Sequence, residues 1–192
     1  MKMIKTSFYS KDELISLGFK SIGDNVFISR YARFYDIDNI SIGNNVRIDD
    51  FCILSGKISI GNYVHISAFC ALYGSKGIIM HDFTGLSPRT TIFSASDDFS
   101  GNFLIGPLID PKYTNVTGGT VEIKKYSQIG ANSIIFPNLE IGEGAAVGAL
   151  SLVNKSLKPW GIYAGIPAKF IRNRSKALLT LKENFLQRNE KF

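Results

Sequence analysis

The 192-residue sequence predicts an all-β solenoid, and two observations carry that prediction. The first is a six-residue period of aliphatic side chains. It runs through Ile22, Ile28 and Phe34, then Ile42, Ile48 and Leu54, then Ile60, Ile66 and Leu72. After a two-residue slip it resumes at Met80, Leu86 and Ile92, and after a long interruption at Ile123, Ile129, Ile135, Ile141, Val147 and Val153. The second is the company these aliphatic residues keep. The next residue is often glycine, as in Ile22-Gly23, Ile42-Gly43, Ile60-Gly61, Ile129-Gly130, Ile141-Gly142 and Val147-Gly148. Four residues on comes a second inward residue, often smaller: Val26, Ala32, Val46, Cys52, Val64, Cys70, Thr90, Ser133, Ala145, Ser151. A period of six fits neither an amphipathic helix nor an alternating strand. It fits a short flat strand and a turn, three times per coil, so that eighteen residues close a triangular coil. Such coils stack at about 4.8 Å, the ordinary interstrand spacing, and bury their aliphatic ladders only by stacking.

In chain order, residues 1–20 form an N-terminal helical segment. Within it Ser10 at the N-cap and Glu13 three later read as a capping box, with Gly18 as a stop, so a short helix is expected at 11–17. The coils occupy 21–172. A loop at 94–121, from Ser94 through Pro107, Pro111, Gly118 and Gly119, protrudes from them without a helical pattern; a long loop in a compact domain is usually functional. In the last segment, 173–192, Ala177, Leu178, Leu181 and Phe185 mark one face of a helix at about 175–188. Cys52 and Cys70 are eighteen residues apart and so fall at the same place in consecutive coils, with Ala32 below and Thr90 above. They are expected as small core residues rather than a redox pair.

Composition narrows the class. With 45% hydrophobic, 20% charged and 12% aromatic residues the chain is globular, not disordered. No apolar run approaches the roughly 20 residues that span a bilayer, and the start lacks the apolar stretch of a secretory leader. Two cysteines are too few for a disulfide scaffold, which reads as a cytoplasmic protein. The net charge of +6 is uneven: residues 154–192 hold nine Lys/Arg against Glu183 and Glu190, a balance of +7, and the remainder sums to −1. A basic end on a neutral body implies an anionic ligand there.

The stretch Ile141-Gly-Glu-Gly-Ala-Ala-Val-Gly-Ala-Leu-Ser-Leu-Val-Asn-Lys155, running on to Tyr163-Ala-Gly-Ile-Pro-Ala-Lys-Phe-Ile-Arg172, resembles the hexapeptide-repeat acyltransferases, and within them the maltose/galactoside O-acetyltransferase-like group. The resemblance covers most of residues 20–173 and supplies the handedness: a left-handed parallel β-helix. It implies a homotrimer with active sites between subunits, acetyl-CoA along the prism, and a loop reaching toward the next subunit. Ala131 and Ala149 match the small residues that let pantetheine lie close to the coil. Asn154 and Lys155 match a Thr-Lys pair at the last coil, and Lys169 and Arg172 match basic residues near the nucleotide phosphates. Ser67 matches a substrate-contacting position, and Ser75 is assigned to the substrate with it.

One departure from the family pattern bears on the acceptor. Sugar O-acetyltransferases of this group carry a histidine at the start of the loop, a general base for the acceptor hydroxyl. Here Asp97, or Asp98 after a one-residue shift, stands there, and the chain has only His65 and His81. An ordinary aspartate is a poor base near neutral pH, but a carboxylate binds and orients an ammonium group, and an amine once deprotonated is already a good nucleophile. The expected activity is therefore acetyl transfer from acetyl-CoA to a nucleotide-linked amino sugar, in surface polysaccharide (lipopolysaccharide) synthesis. The alternatives are O-acetylation of a saccharide hydroxyl and a noncatalytic β-helix binding protein. His65 follows inward Val64 and so points outward, which keeps a histidine base available beside Asp97 and Asp98. His81, at a coil corner, is read as surface. Two histidines cannot furnish the three-histidine metal site of a γ-carbonic anhydrase, so no metal is expected, nor a nucleic-acid or membrane partner.

Overall fold

A computed structural model describes residues 7–189 as a left-handed parallel β-helix of seven coils with three flat faces. The first face stacks Ser21–Ile22, Ile40–Ile42, the second halves of Ile53–Ile60 and Ala71–Met80, Val121–Ile123 and Leu139–Ile141, and ends on a bridge from Ile141 to Leu157. The second stacks Phe27–Ile28, Arg47–Ile48, His65–Ile66, Gly85–Leu86, Gln128–Ile129, Ala146–Val147 and Gly161–Ala164. The third stacks Arg33–Tyr35, the first halves of Ile53–Ile60 and Ala71–Met80, Thr91–Phe93, Ile134–Ile135 and Leu152–Val153. Pairing is in register, so Ile28, Ile48, Ile66, Leu86, Ile129, Val147 and Tyr163 form one buried ladder along the prism. Cys52 and Cys70 stack inside with Ala32 and Thr90, all buried. Their Sγ atoms donate to the carbonyls of Ser67 and Ser87 at 3.1 and 3.2 Å. The adjacent Cys70 sulfur, and then burial, push the Cys52 thiol above its ordinary value, which suits an inert core residue.

The corner after the first face requires left-handed backbone at every coil. Asn25, Asn45, Tyr63, Phe83, Tyr126, Gly144 and Trp160 all have φ between 53° and 66° there. Asparagine tolerates this region; bulky aromatic residues do so rarely. Here their rings are offset by stacking. Tyr63 lies 4.6 Å from Phe83 with planes 7° apart, Phe83 lies 5.7 Å from Tyr126, and Tyr126 lies 6.3 Å from Trp160. Gly144 interrupts the column because a Cβ there would sit 2.5 Å from the Trp160 ring. Beside the rings, Asn44, Asn62 and Asp82 each accept, at 2.8 Å, the backbone N–H two residues into the previous coil's turn, at Asp24, Asn44 and Asn62.

The elements outside the repeat differ in detail from expectation. Helix α1 spans Lys11–Ser16, one residue short of the predicted end; its capping box is complete, and Leu17 caps it before Gly18 turns at φ +88°. The C-terminal helix α2 begins three residues late, at Leu178–Asn189. The cause is the strand Lys169–Asn173, which folds back antiparallel on Gly161–Ala164 and closes the second face. Arg174 then leaves the strand, its N–H on the Trp160 carbonyl and Nη1 on the carbonyls of Tyr126 and Gly144 at 2.7 and 3.0 Å. Lys176 lies over the Trp160 ring, and Phe185 meets Tyr63 edge-on at 5.5 Å. Leu181, expected on the apolar face, is exposed. The loop ends one residue early, because Val121 already pairs with Ile78. Its stem is ordered: Ala95–Ser96 pairs antiparallel with Thr117–Gly118, and Pro111–Tyr113 forms a 3₁₀ turn. The two-residue slip in the repeat is a bulge at the corner before Ile78, where the register with the coil below shifts between Gly56 and Ile58. Thr120 Oγ1 donates to the Lys76 carbonyl at 3.0 Å, and the Lys76 N–H reaches Ser94 Oγ at 2.9 Å, so the bulge seals the base of the loop. Among the described residues no helix is long and apolar enough to cross a membrane.

Candidate active site

The edge after the second face carries an outward column set by strand pairing: Arg47, His65, Gly85, Gln128, Ala146 and Ile162 are neighbours on successive coils. Two residues further along each coil come Asp49, Ser67, Ser87, Gly130, Gly148 and Ala164. The edge therefore has two zones. From Ala164 down to Gly130, with Ala131, Ala146 and Ala149, it is a strip of small side chains. Below it the groups become polar: Gln128, Ser87, Ser67, His65 and Asp49. Above it stand Lys169 and Arg172, whose strand pairs with Gly161–Ala164, while Asn154 and Lys155 follow the third-face strand Leu152–Val153 and so lie on the next edge; all four are exposed, and the three cations make no ion pair among the described residues. Small residues allow a chain molecule to lie close to backbone, and free cations beyond them suit its phosphates.

At the polar end His65 Nε2 lies 2.8 Å from Asp49 Oδ2, and Arg47 Nε donates to Asp49 Oδ1 at 2.7 Å. Burial works against the charge on Asp49, but the bonds from His65 and Arg47 prevail and hold its carboxyl below the usual range. Gln128 crosses the coil boundary: its Nε2 donates to Ser87 Oγ at 3.2 Å and to the Ile129 carbonyl at 3.3 Å.

Asp97 and Asp98 have different situations. Asp98 folds onto its own loop, accepting Ser100 Oγ and the Gly101 N–H, both at 2.8 Å, and Ser100 is the first cause of its lowered pKa. The Asp97 carboxylate has no hydrogen bond among the described residues. It lines an apolar cleft of about 480 Å³ with Phe93, Ala95, Ser96, Phe99, Phe136 and Pro137. Ser75, in the exposed bulge, belongs with this loop base. The predicted residues thus fall into two groups on one chain: His65, Ser67, Ala131 and Ala149 on the edge after the second face, and Ser75, Asp97 and Asp98 beyond the third-face strand Thr91–Phe93. His81 is not a free surface residue; its Nε2 lies 2.6 Å from Glu122 Oε1. Ser87 and Gln128 join the site through the structure. The signal that marks Ser87 is its position, eighteen plus two residues after Ser67 once the bulge is counted.

Residues 39–74 match the family described as Bacterial transferase hexapeptide (six repeats). The chain is 44% identical over 182 residues to the dTDP-4-amino-4,6-dideoxy-D-glucose acyltransferase of Escherichia coli, covering 93% of this chain and 95% of that one. It superposes with a TM-score of 0.94 and 54% identity on AntD, an N-acyltransferase from Bacillus cereus in complex with dTDP and 3-hydroxybutyryl-CoA, covering 96% and 99% of the two chains. A maltose O-acetyltransferase from Clostridium difficile 630 shares the fold at 22% identity and a TM-score of 0.58, covering 91% and 80%. The chain belongs to the hexapeptide-repeat transferase family. Within it, it is an acyltransferase whose co-substrate is an acyl-CoA.

Proposed function

We propose that this protein is an N-acetyltransferase for a dTDP-linked 4-amino-4,6-dideoxy sugar, working as a cytoplasmic homotrimer in surface polysaccharide synthesis. The observation that carries the acceptor is Asp97: an unpaired carboxylate in an apolar cleft, at the place where sugar O-acetyltransferases have a histidine. It suits an ammonium group flanked by a deoxy carbon. The Bacillus cereus N-acyltransferase has been crystallised as variants at a serine and at an aspartate ten positions later. Ser87 and Asp97 have the same separation here. CoA lies with its phosphates near Asn154, Lys155, Lys169 and Arg172, its pantetheine along Ala149 and Ala131, and its thioester beside Gln128 and Ser87. The loop of a neighbouring copy brings Asp97 over that groove, which joins the two groups of residues that one chain keeps apart.

The chemistry is direct transfer. The amine nitrogen attacks the thioester carbon, the C–N bond forms and the C–S bond breaks. The ammonium gives one proton to solvent before attack; after attack the nitrogen loses a second, which goes to the departing sulfur, and CoA leaves as its free thiol. Neither cysteine takes part, since both are sealed in the core. The His65–Asp49 pair favours one other reading, a hydroxyl acceptor with His65 as base. Both are decided by assaying thiol release from acetyl-CoA and from 3-hydroxybutyryl-CoA with dTDP-4-amino-4,6-dideoxyglucose and with a hydroxyl-only dTDP sugar. For an amine acceptor, Asp97→Asn raises the KM for the sugar about 10- to 150-fold, the worth of one charge-assisted bond, and His65→Ala stays within about threefold of wild type. A fall of about 10²–10⁴ in kcat for His65→Ala, the range for a general base, supports the hydroxyl reading instead.

A further inference from the structure

Gln128 is a long polar side chain on an exposed strand position, where free solvation is the ordinary state. It is not free. Its amide is laid across the neighbouring coil, and the residue under it is Gly85. A Cβ at Gly85 would sit 2.4 Å from Gln128 Oε1, so a side chain there would push the amide out of its place. Gly85 lies in a strand and its φ is not positive, so the backbone does not require glycine there. The glycine serves the glutamine. The amide orientation is fixed as well: Nε2 faces the Ile129 carbonyl at 3.3 Å, which only a donor can do, so the same NH₂ group donates to Ser87 Oγ at 3.2 Å. Ser87 Oγ thereby accepts a hydrogen bond, while its own O–H donates to no group among the described residues.

We propose that Gln128, seated on Gly85, is a positioning residue that fixes the Ser87 hydroxyl as a hydrogen-bond donor to the thioester carbonyl oxygen of the acyl-CoA. The inference rests on the proposed reading of the groove as the thioester site. When the amine attacks, the carbonyl π pair moves onto oxygen, and the held O–H stabilises that charge. When the C=O re-forms, the C–S bond breaks, the nitrogen gives up its proton, and CoA departs as the thiol. A hydroxyl already turned toward that oxygen needs no reorganisation in the transition state, which is where such donors are most effective. The role differs from that of the phosphate-binding cations, since it predicts an effect on kcat and little on either KM.

The test is a double-mutant cycle on the full-length trimer, assayed with dTDP-4-amino-4,6-dideoxyglucose and acetyl-CoA. Ser87→Ala lowers kcat about 100-fold, the loss typical of one oxyanion donor. Gln128→Leu, similar in size but without the amide, lowers kcat about 10-fold with both KM values within about threefold, and adds nothing in the Ser87→Ala background. Gly85→Ala reproduces Gln128→Leu, and the two together are no worse than either. Gln128→Glu removes the donor, offers Ser87 an acceptor that captures its proton, and falls to the level of Ser87→Ala. Losses that multiply across the cycle, or a Gln128→Leu enzyme of wild-type kcat, overturn the positioning role while leaving the acyltransferase reading intact. A fully active Ser87→Ala likewise overturns the role alone, whereas a wild-type enzyme inactive on the amino sugar overturns the reading itself and the role with it. Thermal melting of each variant separates these outcomes from simple unfolding.

Discussion

Lys155, Lys169 and Arg172 are three exposed cations with no acid to pair with among the described residues, the last two at the end of a strip of small side chains. Removing a charge-assisted phosphate contact costs about 1.5–3 kcal/mol. Lys169→Ala combined with Arg172→Ala is therefore expected to raise the KM for acyl-CoA at least 10-fold, by the lower figure, and to leave that for the sugar unchanged. Initial-rate kinetics with each substrate varied in turn checks this, and equal effects on both substrates would move the phosphates elsewhere. At this scale the sequence was only partly legible. It narrowed the loop carboxylates to Asp97 and Asp98, but a one-residue shift interchanged them; only the hydrogen bonds that tie Asp98 to Ser100 and Gly101 tell them apart. Gln128 could not be picked out, because its partner Ser87 is 41 residues away across the loop. An outward glutamine on a strand reads as solvated until that neighbour is known.

Helix α1 shows how far local signals reach. Its capping box was visible because Ser10 and Glu13 are three residues apart, and the box is there. Its tie to the coils was not visible: Arg30 donates to both Glu13 oxygens at 2.7 and 2.6 Å across seventeen residues. Arg30, and then the Ser10 backbone and hydroxyl, lower the Glu13 pKa to about 2 from an ordinary 4.5. A carboxyl lowered by folding stabilises fully above its unfolded pKa and loses that contribution as the pH falls toward its folded one. The melting temperature of Glu13→Gln should thus lie below wild type at pH 6, and the gap should close between pH 4.5 and pH 2. A gap that persists at pH 2 would mean the pair acts through packing alone. The same division between local and distant signals explains the hairpin stem of the loop, where Ala95–Ser96 pairs with Thr117–Gly118 across the whole loop. The late start of α2 has a nearer cause, the return of Lys169–Asn173 on Gly161–Ala164 through the turn at 165–168.

For the molecule as a whole the period of six was enough, since each aliphatic position repeats the same packing problem and all the ladders are solved together. What one copy leaves open is the tip of the loop. Leu108 is 97% exposed and Phe99 94%, with Ile105 and Leu104 more than half exposed beside them. Exposed apolar clusters of this kind mark contact surfaces. The proposed trimer makes the tip a contact with the next copy and makes activity depend on it. Ile105→Glu with Leu108→Glu should shift the mass in light scattering from trimer to monomer and abolish acyl transfer, with the far-ultraviolet circular dichroism of the coils unchanged. A monomer of full activity would show that each chain holds a complete site.

The aromatic column has a further consequence through the chain end that docks on it. Coils joined only to their neighbours fray from the ends inward. Here the last coil cannot open alone, because Arg174 is bonded to carbonyls at earlier corners, those of Gly144 and Tyr126, and Phe185 rests on Tyr63, further down the same column. Lys169 and Arg172 at the top of the prism and the polar groups around Ser87 are separated by four rungs of about 4.8 Å, or about 19 Å. The strap holds that count of rungs constant. With CoA placed as proposed, it makes the solenoid a measuring stick, cut so that a cofactor gripped by its phosphates at one end delivers its thioester to the same rung each time.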